Sequence, residues 1–214
     1  MSSKRDIAAA VLKRHPRSHA QELGIRVARN TPAPLYQWLL VSLLFSARIS
    51  ADQAQKAARA LFEQGWRTPK KMAGTSWEER VKVLNRNGYA RYDESTARYI
   101  ADTTELLLDR YKGDLRRLRD EADRDPAGER KRLKEFKGIG EVGADIFFRE
   151  AQLVWDELYP FADAKAMEGA EKLGLGKSVR SLAGLVDRRD LPRLLSGLVR
   201  IDLAGEVDEV LKAA

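Results

Sequence analysis

Cysteine is absent from the 214 residues, and histidine occurs only twice. That excludes disulfides, thiolate zinc sites and cysteine-ligated iron–sulfur clusters, and it argues against a histidine-rich metal site. No metal and no other cofactor is expected. Long apolar runs are missing too: the most apolar stretch, Trp38 to Phe45, is interrupted by Ser42 and falls well short of the ~18 residues a membrane helix needs. The start, Met-Ser-Ser-Lys-Arg-Asp, lacks the apolar core of a signal peptide. Alternating runs bounded by Asn-Gly or Asp-Gly turns, the usual sign of β-hairpins, are also missing. The expectation is a soluble, cytoplasmic, all-α protein and a monomer, since no dimerisation surface is obvious.

What is present is a hydrophobic fraction of 43%, enough for a sizeable core, and 39 Lys and Arg against 32 Asp and Glu. The formal charge of +7 leans toward a polyanionic partner without naming one.

Helix signals are frequent. Leu35 to Ala47 is apolar on most sides and predicts a helix buried at the centre of a helical domain, with Pro32 and Pro34 at its start. Capping boxes at Ser50–Gln53 and Ser76–Glu79 predict helices to about Gln64 and Asn85. Asp93 is placed as the cap of a helix to about Lys112, with Ala97, Ile100, Thr104, Leu107, Leu108 and Tyr111 on one stripe. Asp125-Pro126 predicts the next start. The charged segment Ala122 to Arg132 holds Pro and Gly, and a subdomain boundary is placed there.

The informative stretch is Leu133-Lys134-Glu135-Phe136-Lys137-Gly138-Ile139-Gly140-Glu141-Val142-Gly143-Ala144. One helix ends near Lys137 and another starts directly after a Gly-Ile-Gly turn. Gly138 and Gly140 allow positive φ and close backbone approach, and Ile139 can anchor the turn. Amides at the new helix's N-terminus lack helical acceptors and can hold a phosphate oxygen. The same spacing fits an αα-hairpin whose glycine turn binds nothing.

The chain here resembles the helix–hairpin–helix DNA glycosylases, the superfamily of endonuclease III and the bacterial 3-methyladenine glycosylases. Phe136-Lys137-Gly138-Ile139-Gly140-x-x-Gly143-Ala144 is similar to the family hairpin, Leu-Pro-Gly-Val/Ile-Gly-x-x-Thr/Ser-Ala. Pro160-Phe161-Ala162-Asp163 is similar to the loop with the family's essential aspartate, and Leu43-Leu44-Phe45-Ser46-Ala47-Arg48 resembles the end of its central helix.

The resemblance implies two helical subdomains flanking a DNA-binding cleft. One would be residues 31–125. The other would be 1–30 plus 126–214, with the hairpin motif at about 126–152 and the Asp163 loop. It implies a base excision repair glycosylase acting on double-stranded DNA with a damaged base. Asp163 would be the catalytic carboxylate, and its other reading is an N-cap for a helix over 164–172. Lys137, Gly138, Ile139, Gly140, Val142, Gly143, Lys134 and Arg48 would contact DNA. Arg130, Lys131 and Arg132 add positive charge nearby. Tyr36, Trp38, Tyr159 and Phe161 are candidates for a base pocket, with Trp155 a further aromatic.

Bifunctional relatives carry a hairpin lysine that attacks the sugar, and Val142 stands there instead. This implies a monofunctional enzyme that uses water, unless Lys137 or Lys165 substitutes, and leans toward alkylated bases with uracil and mismatched thymine still open. Glu141 departs from the family's usual basic residue. The alternative is a non-catalytic hairpin module that binds damaged or bent DNA. Geometry adds one requirement: a helix from Glu141 must stop near Gln152 to let the chain reverse toward Asp163.

Overall fold

A computed structural model describes residues 2–214, and among them the structure is helical throughout with no strand. The chain begins with α1 (Lys4–Arg14) and α2 (His19–Glu22). Each opens on a capping box, Ser3 with Asp6 and Ser18 with Gln21, so orphan amides at both starts are satisfied locally.

Then come α3 (Pro32–Phe45), α4 (Ala51–Glu63), α5 (Pro69–Ala73), α6 (Trp77–Leu84), α7 (Asp93–Tyr111), α8 (Leu115–Glu121), α9 (Pro126–Leu133) and α10 (Glu141–Ala151). The last elements are α11 (Ala164–Lys172), α12 (Val179–Ala183), α13 (Leu191–Ala204) and α14 (Val207–Ala213). No helix among the described residues is long and apolar enough to cross a membrane.

The chain divides into two compact units, Ile25–Phe147, and Met1–Gly24 together with Phe148–Ala214. The first is organised around α3. Every residue from Leu35 to Leu44 is buried, which is why this helix has no polar face in the sequence. The capping boxes at Ser50 and Ser76 open α4 and α6 as expected.

The expected division at 125/126 does not occur: α9 and the hairpin after it stay with α3 and α7. The physical reason is a set of buried ties. Tyr111 and Phe136 meet with tilted rings at 6.1 Å, Thr103 Oγ1 donates to the Lys137 carbonyl at 3.2 Å, and Trp38 Nε1 donates to the Phe147 carbonyl at 3.1 Å.

The other unit buries Ile7 and Val11 of α1 with Ala166 and Ala170 of α11 and Leu194, Leu195, Leu198 and Ile201 of α13. At roughly 1.5–3 kcal/mol per large buried aliphatic side chain, such a cluster fixes the seat of α11, whose first residue follows Asp163.

Candidate nucleic-acid interface and aspartate loop

The hairpin forms where the sequence places it, with two differences. α9 ends at Leu133, so Lys134–Lys137 is already turn. Only Gly138 has positive φ, at 86°. A Cβ there would lie 3.1 Å from the Tyr99 ring and 3.3 Å from Leu43, so the turn presses on the α3 and α7 side chains. Gly140 faces open space; its contribution is a bare surface, not an unusual dihedral. Ile139 is buried and anchors the turn. Gly143 sits against the end of α3, where a Cβ would fall 2.7 Å from Ser46 Oγ.

α10 therefore starts with amides that have no helical acceptor, beside exposed Lys137, Gly138, Gly140 and Val142. Val142 is 61% exposed. Its side chain carries no polar group to compete with a phosphate.

Charge around the turn is partly committed. Lys134 and Arg130 both bond the Glu141 carboxylate, the latter at 3.1 Å, and Arg130 also reaches Asp145 at 2.7 Å. The Lys134 contact comes first among the causes that hold the Glu141 carboxyl below its usual range. Lys134, expected to contact DNA, has a carboxylate partner in this fold.

Beside the hairpin, a cavity of about 440 Å³ is lined by Ser46, Arg48, Tyr89, Tyr92, Tyr99 and Gly138, among others. Sequence reasoning placed Arg48 near this region but missed the three tyrosines. Their only signal was tyrosine density between residues 89 and 99.

Two of the proposed pocket aromatics are interior instead. Tyr36 is fully buried and its hydroxyl pairs with Thr104 at 2.7 Å. Trp38 is 1% exposed and supports the α10 backbone. Both lie on a helix buried on all sides, which leaves no open face. Trp155, at 0% exposure, is also core. Tyr159 and Phe161 are half-buried. Arg188 lies over the Tyr159 ring at 4.6 Å, and Phe161 meets Phe148 edge-on at 5.5 Å.

α10 ends at Ala151, one residue before the stop the chain reversal requires. The loop after it is pinned by Gln152, whose side-chain amide donates to the Phe161 carbonyl and accepts from the Phe161 amide, both at 3.0 Å.

Asp163 is the N-cap of α11, with Oδ1 accepting from the Ala166 amide at 3.1 Å. Oδ2 accepts from Arg149 Nε at 2.8 Å. Both side chains are nearly enclosed, at 5% and 7% exposure.

Lys165 bonds Asp202 at 2.5 Å and Glu168 at 2.8 Å. The Asp202 bond is the main reason its ammonium is held well above the ordinary lysine range, so it is poorly suited to attack as a free amine. No cluster of three or more His, Asp or Glu suited to a metal ion occurs among the described residues.

No protein-family model and no curated protein matches this chain. Solved structures do, among them two complexes with DNA. One is a non-covalent endonuclease III–DNA complex, with TM-score 0.56 and 21% identity over 94% of this chain and 86% of that one. The other is a trapped endonuclease III–DNA covalent intermediate with an estranged adenine, with TM-score 0.51 and 19% identity over the same shares. The fold is all-α and resembles that of endonuclease III.

Proposed function

We propose that the chain binds the backbone of double-stranded DNA at the hairpin Lys137–Gly143, and that it is a monofunctional DNA glycosylase of base excision repair. The observation that carries the DNA reading is the bare α10 N-terminus, where Gly140 and Val142 leave the orphan amides uncovered. Such contacts position the duplex without reading sequence. The structures that share this fold hold DNA, which supports the same partner here. Arg48 and the tyrosine-lined cavity would receive the base left unpaired when its pairing partner turns out of the stack.

The chemistry proposed is hydrolysis of the N-glycosidic bond of an everted, alkylated base. Bond cleavage builds positive charge on the deoxyribose, and the Asp163 carboxylate would stabilise that charge and orient water. Val142 has no amine, the Lys165 ammonium is held by Asp202 and Lys137 is assigned to the phosphate, so water is taken as the nucleophile and no Schiff base is expected.

A second reading has one observation in its favour. Both Asp163 oxygens are already bonded, to Arg149 and to Ala166, as in a purely structural cap. The protein would then be a non-catalytic binder of damaged or bent DNA.

One assay separates the two. Duplexes carrying 3-methyladenine-type, uracil, mismatched thymine or oxidised pyrimidine lesions are incubated with wild type and with Asp163→Asn, and released base is scored. The enzymatic reading expects release from the alkylated duplex that falls by about 100-fold or more in the variant. Release from no duplex, with binding intact, favours the binder. Equal release by both proteins removes Asp163 from the chemistry, and a borohydride-trapped adduct removes the monofunctional assignment.

A further inference from the structure

The aspartate loop is held in a frame built by the end of α10. Phe148 meets the Phe161 ring, Gln152 clamps the Phe161 backbone from both sides, and Arg149 Nε holds Asp163 Oδ2 at 2.8 Å. Gln152 is itself 1% exposed and is fixed by donating to the Arg149 carbonyl at 2.9 Å. The guanidinium therefore rests on a braced helix end, opposite a carboxylate that is braced in turn by the Ala166 amide.

Electrostatic superposition gives the consequence. A cationic sugar approaching Asp163 feels the guanidinium as well as the carboxylate, and a few ångströms beyond the pair the two contributions largely cancel. An oxygen that already accepts a charged hydrogen bond is also a weaker acceptor for a water proton.

Building on the assignment of Asp163 above, we infer that Arg149 is a positioning residue that keeps this carboxylate neutralised. The chain docks DNA in a resting state whose acid does not attract a cationic sugar.

The test compares binding of two duplexes, one with a cationic pyrrolidine in place of a single deoxyribose, the other with uncharged tetrahydrofuran. Wild type is expected to bind them equally, within about twofold, whereas Arg149→Gln prefers the cationic duplex by about tenfold, one decade in the dissociation constant. Arg149→Lys keeps the charge and is expected to behave as wild type, which loss of a merely structural contact would not produce. In the lesion assay, base release by Arg149→Gln rises above wild type.

A wild-type preference of tenfold for the cationic duplex overturns the inference while strengthening the enzymatic reading. A folded Arg149→Gln with no preference also overturns it. Should that variant fail to fold, Arg149→Met takes its place and the wild-type comparison still decides. Failure to bind either duplex sinks the DNA reading, and this inference with it.

Discussion

The ion pairs at Glu141 set how much positive charge the hairpin can offer. A carboxylate at the first position of α10 favours the helix dipole and is held ionised by Lys134 and Arg130. It also removes two cations from the face that would meet phosphate. Glu141→Gln frees Lys134, while Arg130 keeps Asp145, and is expected to tighten binding to undamaged duplex about threefold at low salt. Lys137 is exposed in the turn. Lys137→Ala is expected to weaken binding evenly across sequences and to lower the slope of log affinity against log salt by about 1. Fluorescence anisotropy at several salt concentrations reads both effects. If the two variants leave affinity and slope unchanged, DNA does not contact this turn.

At the scale of elements, the hairpin is a rigid corner more than a flexible loop. Gly138 combines a φ of 86° with close contacts to Tyr99 and Leu43. Gly138→Ala is expected to cost roughly 1–3 kcal/mol of stability, from strain in the left-handed region plus displacement of those side chains. It should weaken DNA binding in parallel, and denaturant titration with anisotropy checks both. Gly140→Ala, with open space beside it, should leave stability nearly unchanged.

This contrast marks what the sequence makes legible. Capping boxes and apolar periodicity are local, so α3, α4, α6 and α11 are read close to their observed bounds. Local signals fail where tertiary contacts decide. Asp93 was the expected cap of α7, yet it is the first helical residue, its carboxylate accepting from Asn85 Nδ2 at 2.7 Å and from the Glu94 amide. The Gly-x-Gly pattern does not say which glycine needs the positive φ, because that is set by Tyr99 and Leu43. The Arg149–Asp163 pair spans 14 residues across a chain reversal, and nothing in periodicity or motif spacing points to it. Tyr36 and Trp38 look like pocket aromatics only while the burial of α3 is unknown.

At the scale of the whole molecule, stability depends on buried titratable groups clustered in the unit that carries Asp163. His19 is buried with its imidazole well below the usual range, first because of desolvation, then because Arg200, Arg149 and His15 lie near. His15 is lowered too, mainly by burial. Glu150 is 1% exposed and pushed up by burial, although Ser18 and the Ala20 amide bond it.

The signs oppose. A histidine lowered in the fold lets the unfolded chain take up the proton first. Its stabilising contribution is present above about pH 6.5 and is lost as pH falls through the folded value. A carboxyl raised in the fold contributes fully below about pH 4.5, and that contribution is lost as pH rises toward the folded value. Between these limits wild type should show a shallow pH dependence.

Glu150→Gln removes one side of the balance. Acidification from pH 7 should then destabilise the protein with a slope of up to about 1.4 kcal/mol per pH unit for each histidine that titrates. His19→Asn removes most of the other side, and stability should hold or rise on acidification toward pH 5. Calorimetry of the three proteins at pH 7, 6 and 5 measures this. Parallel curves for all three would mean that these groups do not carry the acid response, and that ion-paired carboxylates such as Glu206 and Asp202, both lowered by basic partners, carry it at lower pH.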